Sequence, residues 1–248
     1  LSSLLTSDGE LVTDKDSMLT TATDFYSQLY ASENDLSIDL QNGFLNQITT
    51  SLTDLQRAAL DRAFALDELR NVVFACEKEK TAGYDGLPYE FFQTFWDLIG
   101  QDLLNILQTA LTFEQGLPFS HTRSVLTLLF KKGDRRLLQN WRPLSLLCCD
   151  YKIFTKLLAN RLTMVLATLL SPRQTAGVPG RKITYNLQLI RDFIFFADSN
   201  RVRGYLLSLD QHKAFDTLDR KFLIRVLQKM NFSPTFVKWI TLLYTDTI

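Results

Sequence analysis

The sequence predicts a helix-rich α+β fold. Three observations carry that reading. Apolar residues recur at helical spacing in most of the chain. Two short apolar, branched or alternating runs, Ser124–Phe130 and Gly204–Asp210, read as strands. Glycine (10) and proline (6) are too scarce for a loop-dominated or collagen-like chain of 248 residues. With 46% hydrophobic residues the chain can bury a large core, and 22% charged residues argue against wholesale disorder.

The elements follow in order. Met18, Ala22, Phe25 and Leu29 share one face of a helix over 14–30, which Asp14 or Asp16 can cap. Residues 31–50 are polar and weakly patterned and read as a loop or linker. Asp54–Phe64 is a second helix, and Asp67 opens a third with Leu69, Val72, Val73 and Cys76 on one face. Gly83 and Gly86 around Tyr84 and Asp85 mark a tight turn, and Pro88 sits in the first turn of the next helix. That helix runs to about Glu114, with a break near Gln101, and ends at Gly116 and Pro118.

After the first strand, Lys131–Asp134 makes the turn of a hairpin. Tyr151–Leu170 is a long helix with Phe154, Leu158, Leu162, Val165 and Leu169 inward, stopped by Ser171 and Pro172. A loop over 174–181 precedes a helix with Leu187, Ile190, Ile194 and Ala197. Asp219–Met230 and a helix begun by Ser233 and Pro234 complete the chain.

Charge is unevenly placed. The formal net charge is zero, yet residues 1–120 carry 6 basic and 19 acidic residues and residues 121–248 carry 21 and 8. Such asymmetry points to contact with a polyanion or to two halves that attract each other. The chain begins at Leu1 rather than Met and stops inside a helical pattern, so part of a longer protein is expected. No apolar stretch is long enough to span a membrane. Cys76, Cys148 and Cys149 lack the spacing of a zinc site or a disulfide framework and read as core residues in a reducing compartment. His121 and His212 are isolated and receive no chemistry.

Three stretches could carry chemistry. In Ser208–Asp216 one acidic residue, Asp210, ends an apolar strand, and a second, Asp216, stands at a helix entry. A carboxylate at a strand end suits a hard cation such as Mg²⁺. The plain structural alternative is that Asp210 closes the strand and Asp216 caps the helix. Lys131, Lys132, Arg135, Arg136 and Arg142 place five cations within twelve residues, enough to grip phosphates or simply to form a solvated turn. Trp141 beside Arg142 offers a stacking face with a fork of donors, or a Trp covered by an Arg. The loop with Gly177, Gly180 and Arg181 precedes a helix start, where backbone N–H groups favour phosphate.

Six segments taken together resemble the reverse transcriptase of LINE-like non-LTR retrotransposons. They are Thr81–Phe92 (TAGYDGLPYEFF), Leu128–Asp134 (LLFKKGD), Asn140–Leu147 (NWRPLSLL), Asp150–Leu162 (DYKIFTKLLANRL), the loop ending Val178-Pro-Gly-Arg181, and Leu207–Asp216 (LSLDQHKAFD). They occur in the family's order over residues 66–248, while residues 1–65 look like the helical connector that precedes this domain.

The resemblance implies a right-hand polymerase: fingers and the start of a palm, with the remaining palm and thumb in the parent polypeptide. It implies that Asp210 and the main chain of Gln211 bind catalytic Mg²⁺. Lys131 or Lys132 with Arg142 would hold the incoming triphosphate, and Phe215 would exclude a ribose 2′-OH. Arg135, Arg136, Gly180 and Arg181 would lie along nucleic acid. The implied partners are an RNA template, a DNA primer and deoxynucleoside triphosphates, with no membrane, in the cytoplasm and nucleus. The sequence departs from the family pattern at Ala82, Phe130, His212 and Ala176-Gly177. The Asp-Asp motif that supplies the remaining carboxylates is not among these 248 residues, so the chain by itself is expected not to polymerise. The alternative function is a non-catalytic RNA-binding remnant.

Overall fold

The computed structural model describes residues 1–31, 37–112, 117–211 and 213–244. The expected helix end at Glu114 and Gly116, and His212, lie outside the described residues. The chain is helix-rich with two small antiparallel sheets.

A hairpin of β1 (Leu4–Leu5) and β2 (Leu11–Val12) leads into α1 (Lys15–Tyr30). Asp14 caps α1, its side chain accepting from the Ser17 N–H. Residues 31–50, read as a linker, contain α2 (Ile38–Leu45). Ser37 caps it, Leu45 is buried, and the Arg225 guanidinium donates to the side chains of Gln41 and Asn42. Those long-range partners have no trace in local apolar spacing, which explains the miss.

Helix α3 (Asp54–Asp61) starts with a capping box between Thr53 and Gln56. Helix α4 (Leu66–Phe74) begins before Asp67, which sits with Glu68 in the first turn where acidic side chains favour the helix dipole. Pro88 is the N-cap of α5 (Tyr89–Thr94). The break expected near Gln101 falls instead at Phe95, between α5 and α6 (Trp96–Thr109). The Trp96 indole lies so close over Gly100 that a Cβ there would come within 2.8 Å of the ring, so Gly100 makes room for it rather than interrupting the helix. After α7 (Phe119–Thr122), β3 (Val125–Phe130) pairs antiparallel with β4 (Trp141–Leu146), Val125 opposite Leu146 and Phe130 opposite Trp141.

Helix α8 (Cys149–Leu169) is the spine of the core. Cys149, Ile153, Phe154, Leu157, Leu158, Val165 and Leu169 are buried in one cluster with Leu52, Leu60 and Phe64, residues of α4 and α6, and Phe232, Phe236 and Trp239. Each fully buried side chain of this size contributes about 1.5–3 kcal/mol against exposure. The cluster runs across the boundary drawn between residues 65 and 66. A second, smaller cluster joins Leu4 and Tyr26 to Leu138, seating α1 on the turn between β3 and β4.

Arg161 is the largest side chain among those fully buried. It forms a fork with Glu68 (Nε 2.8 Å, Nη2 2.7 Å) and donates to the carbonyls of Leu60, Arg62 and Ala63. Its guanidinium also stacks over the Phe64 ring at 4.0 Å. One side chain thus satisfies the frayed end of α3 and fixes the start of α4.

Helix α9 (Ile183–Ser199) forms as expected; Leu187, Ile190 and Ile194 are exposed, and α9 buries no described residue. Its apolar stripe has the helical period, yet no described element covers it. Gly204–Asp210 is not a strand: Tyr205, Leu206, Leu207 and Leu209 lie open to solvent. Alternation suits a strand, but a strand exists only with a hydrogen-bonded neighbour, and no described strand lies beside this one. The chain ends in α10 (Arg220–Lys229), capped by Asp219 rather than Asp216, and α11 (Pro234–Tyr244), begun by Ser233.

Candidate nucleic-acid interface

The turn joining β3 to β4 is built by its own backbone and side chains. Lys131 N–H donates to the Asn140 carbonyl, and Asn140 Nδ2 donates to the Asp134 carbonyl. Gly133 takes φ +91°, and the Asn140 side chain fills the place a Cβ would need. Trp141 Nε1 donates to the Arg135 carbonyl, its ring meets Phe130 edge-on at 5.2 Å, and the Arg135 guanidinium lies 4.7 Å over Phe130. Trp141 is therefore half-buried and engaged on both counts, with Arg135 covering its neighbour.

On this frame Lys131, Lys132, Arg135 and Arg142 are exposed together. Arg136 differs: it forks onto Asp134 at 2.7–3.1 Å. That bond holds the Asp134 carboxyl at about 2 and raises the Arg136 guanidinium further. The Arg136 carbonyl also accepts from Leu5 N–H, tying β1 to the turn.

Gly180 takes φ +76° in the loop before α9. Arg181 turns inward. Its Nη1 and Nη2 donate to the carbonyls of Ala167, Leu170, Ser171 and Gln174, closing the C-terminal end of α8. Arg181 thus shapes the loop, and its two terminal nitrogens are already engaged.

Asp210 and Gln211 are exposed in extended chain, and Phe215 stands fully in solvent. Residues 213–217 form a turn in which Lys213 carries φ +45° and sets its ammonium 4.8 Å from the Phe25 ring of α1. Phe215, Asp216 and Arg220 face Tyr30 across a cleft of about 550 Å³. Helix α1 thus lies between the basic turn and the 213–219 segment. No hydrogen bond or ion pair among the described residues joins Asp210 to Lys131, Lys132 or Arg142. Asp210 belongs to no cluster of metal-ligating side chains among them either. As placed, these residues do not make a two-ion site.

A group that sequence spacing missed lies at the base of the hairpin. Gly83 packs against the backbone of Leu147 and Cys148, where a Cβ would come within 2.6 Å. That contact seats Asp85 against Cys148 and Asp150, with His121 Nε2 2.8 Å from Asp150 Oδ2. Its members come from positions 85, 121, 148 and 150, so no local motif could have shown it.

Residues 130–248 match the family model described as reverse transcriptase (RNA-dependent DNA polymerase). Over 98% of its length the chain is 40% identical to the "Transposon TX1 uncharacterized 149 kDa protein" of Xenopus laevis. Over 50% of its length it is 27% identical to the "Retrovirus-related Pol polyprotein from type-1 retrotransposable element R2" of Popillia japonica. It spans 18% and 17% of those two proteins. The resemblance to LINE-like non-LTR elements read from the six segments is borne out. No described helix is long and apolar enough to cross a membrane.

Proposed function

We propose that the chain is the fingers and the start of the palm of an RNA-directed DNA polymerase, with residues 1–65 as its helical connector. The observation that carries this reading is the β3–β4 hairpin, whose four exposed cations project from a rigid turn inside the family-matched stretch. Lys131 or Lys132 together with Arg142 grips the triphosphate of an incoming deoxynucleotide. Arg135, the Gly180 loop shaped by Arg181, and the backbone around Arg136 follow the RNA template and DNA primer. Phe215 packs against the sugar and leaves no room for a 2′-OH. Asp210 and the Gln211 carbonyl would contribute Mg²⁺ ligands once further carboxylates join them. A location in the cytoplasm and nucleus is part of this reading and is supported by the family resemblance alone.

The test is RNA binding by the 248-residue chain across a salt series. If four cations neutralise phosphates on single-stranded RNA, log K falls with log salt at a slope of about −3. Replacing Lys131, Lys132, Arg135 and Arg142 by Glu should flatten that slope and abolish binding in the same assay. A flat response in the parent chain refutes the interface.

A further inference from the structure

The group at the base of the hairpin is independent of the polymerase reading. A carboxylate oxygen of Asp85, the sulfur of Cys148 and a carboxylate oxygen of Asp150 all lie within 4.8 Å of one another. In a tetrahedral zinc site with bonds of about 2.0–2.3 Å, donors stand roughly 3.3–3.8 Å apart. The three atoms therefore need to close by about 1.5 Å at most.

Their positions are set by the fold rather than by surface chance. Gly83 lets the 81–87 loop press onto Cys148, and Gly86 (φ +72°) turns the chain so that Asp85 Oδ1 accepts from Leu87 N–H. Cys148 is fully buried at the N-cap of α8, and Asp150 lies in that helix's first turn, its Oδ1 accepting from Tyr151 N–H. The Cys148 sulfur is thus flanked by two carboxylates, a set of donors that a divalent cation can bridge.

His121 supplies an independent pointer. It is 4% exposed, wedged against Phe154 and Tyr151, with Nε2 aimed at Asp150 and Nδ1 buried without a hydrogen-bond partner. Buried polar atoms are rarely left so. A ring in this position braces the Asp150 carboxylate through Oδ2, as partners of metal ligands do.

We propose that Asp85, Cys148 and Asp150, braced by His121, form a site for one borderline-soft divalent cation of the zinc class. A thiolate in the donor set selects such an ion over Mg²⁺. Binding forms a metal–sulfur bond and releases the Cys148 thiol proton to solvent, with no change of oxidation state. The ion ties the 81–87 loop to the first turn of α8, just after β4.

The experiment titrates the metal-free 248-residue chain with Co²⁺, then displaces it with Zn²⁺. The expected result is one saturable equivalent, a thiolate-to-cobalt charge-transfer band that Zn²⁺ abolishes, and one proton released per ion. Cys148→Ser should remove the band, and Cys76→Ser should keep it. Asp85→Asn changes an exposed side chain, so its fold should survive, and it should weaken binding at least about tenfold. No saturable binding, or a band and affinity unchanged in both Cys148→Ser and Asp85→Asn, overturns the site. If Cys148→Ser does not fold, the Asp85→Asn affinity decides.

Discussion

Replacing Arg161 by Met should destabilise the protein by about 3–5 kcal/mol, read as a lower urea midpoint at unchanged slope. The side chain of Arg161 is 2% exposed and its partner Glu68 is 18% exposed, so the substitution leaves a largely buried carboxylate with only the looser Arg62 contact at 3.7 Å. It also leaves the carbonyls of Leu60, Arg62 and Ala63 without their donor. A second change, Glu68→Leu, should recover only part of the loss, because it removes the carboxylate charge but restores no donor. An unchanged midpoint in Arg161→Met would show that the fork contributes nothing. The pair also sets a pH dependence. The Arg161 hydrogen bonds outweigh burial and hold the Glu68 carboxyl below its ordinary range. A group depressed in the folded state adds stability above its unfolded value and loses it as pH falls through the folded one. The parent should therefore soften in acid over that window, and Arg161→Met should not show this component.

The second large effect concerns Asp210. In a polypeptide extended over the length of the relatives, Asp210→Asn should abolish primer extension on an RNA template while RNA affinity stays unchanged. Asparagine keeps the shape and loses the charge that a Mg²⁺ ligand needs. Asp210 is exposed, so the stability change should stay within about 0.5 kcal/mol. Retained synthesis would refute the metal role assigned to Asp210.

What the sequence showed depended on whether the responsible force was local. Caps and periodicity gave α1, α3, α8, α10 and α11 closely, since Asp14, Thr53, Asp219 and Ser233 act within three residues of where they stand. The β3–β4 hairpin was legible from one branched run and its turn. Long-range partners were not. Arg225 holding α2, and Arg181 closing α8 rather than facing a ligand, each depend on residues far along the chain. The cluster of Asp85, His121, Cys148 and Asp150 is the extreme case, because its members share no spacing rule. Amphipathic period gave α9 as a helix, but the surface its stripe would bury against is not among the described residues.

The open stretch before Asp210 has a consequence for how the protein behaves in bulk. Tyr205, Leu206, Leu207 and Leu209 crowd a short exposed stretch of backbone, with no lysine or proline in 204–210 to guard it. A chain of zero net charge has no long-range repulsion to keep such segments apart. Self-association of the chain is therefore expected to start at exposed apolar stretches such as this one and the α9 stripe, not at the buried core.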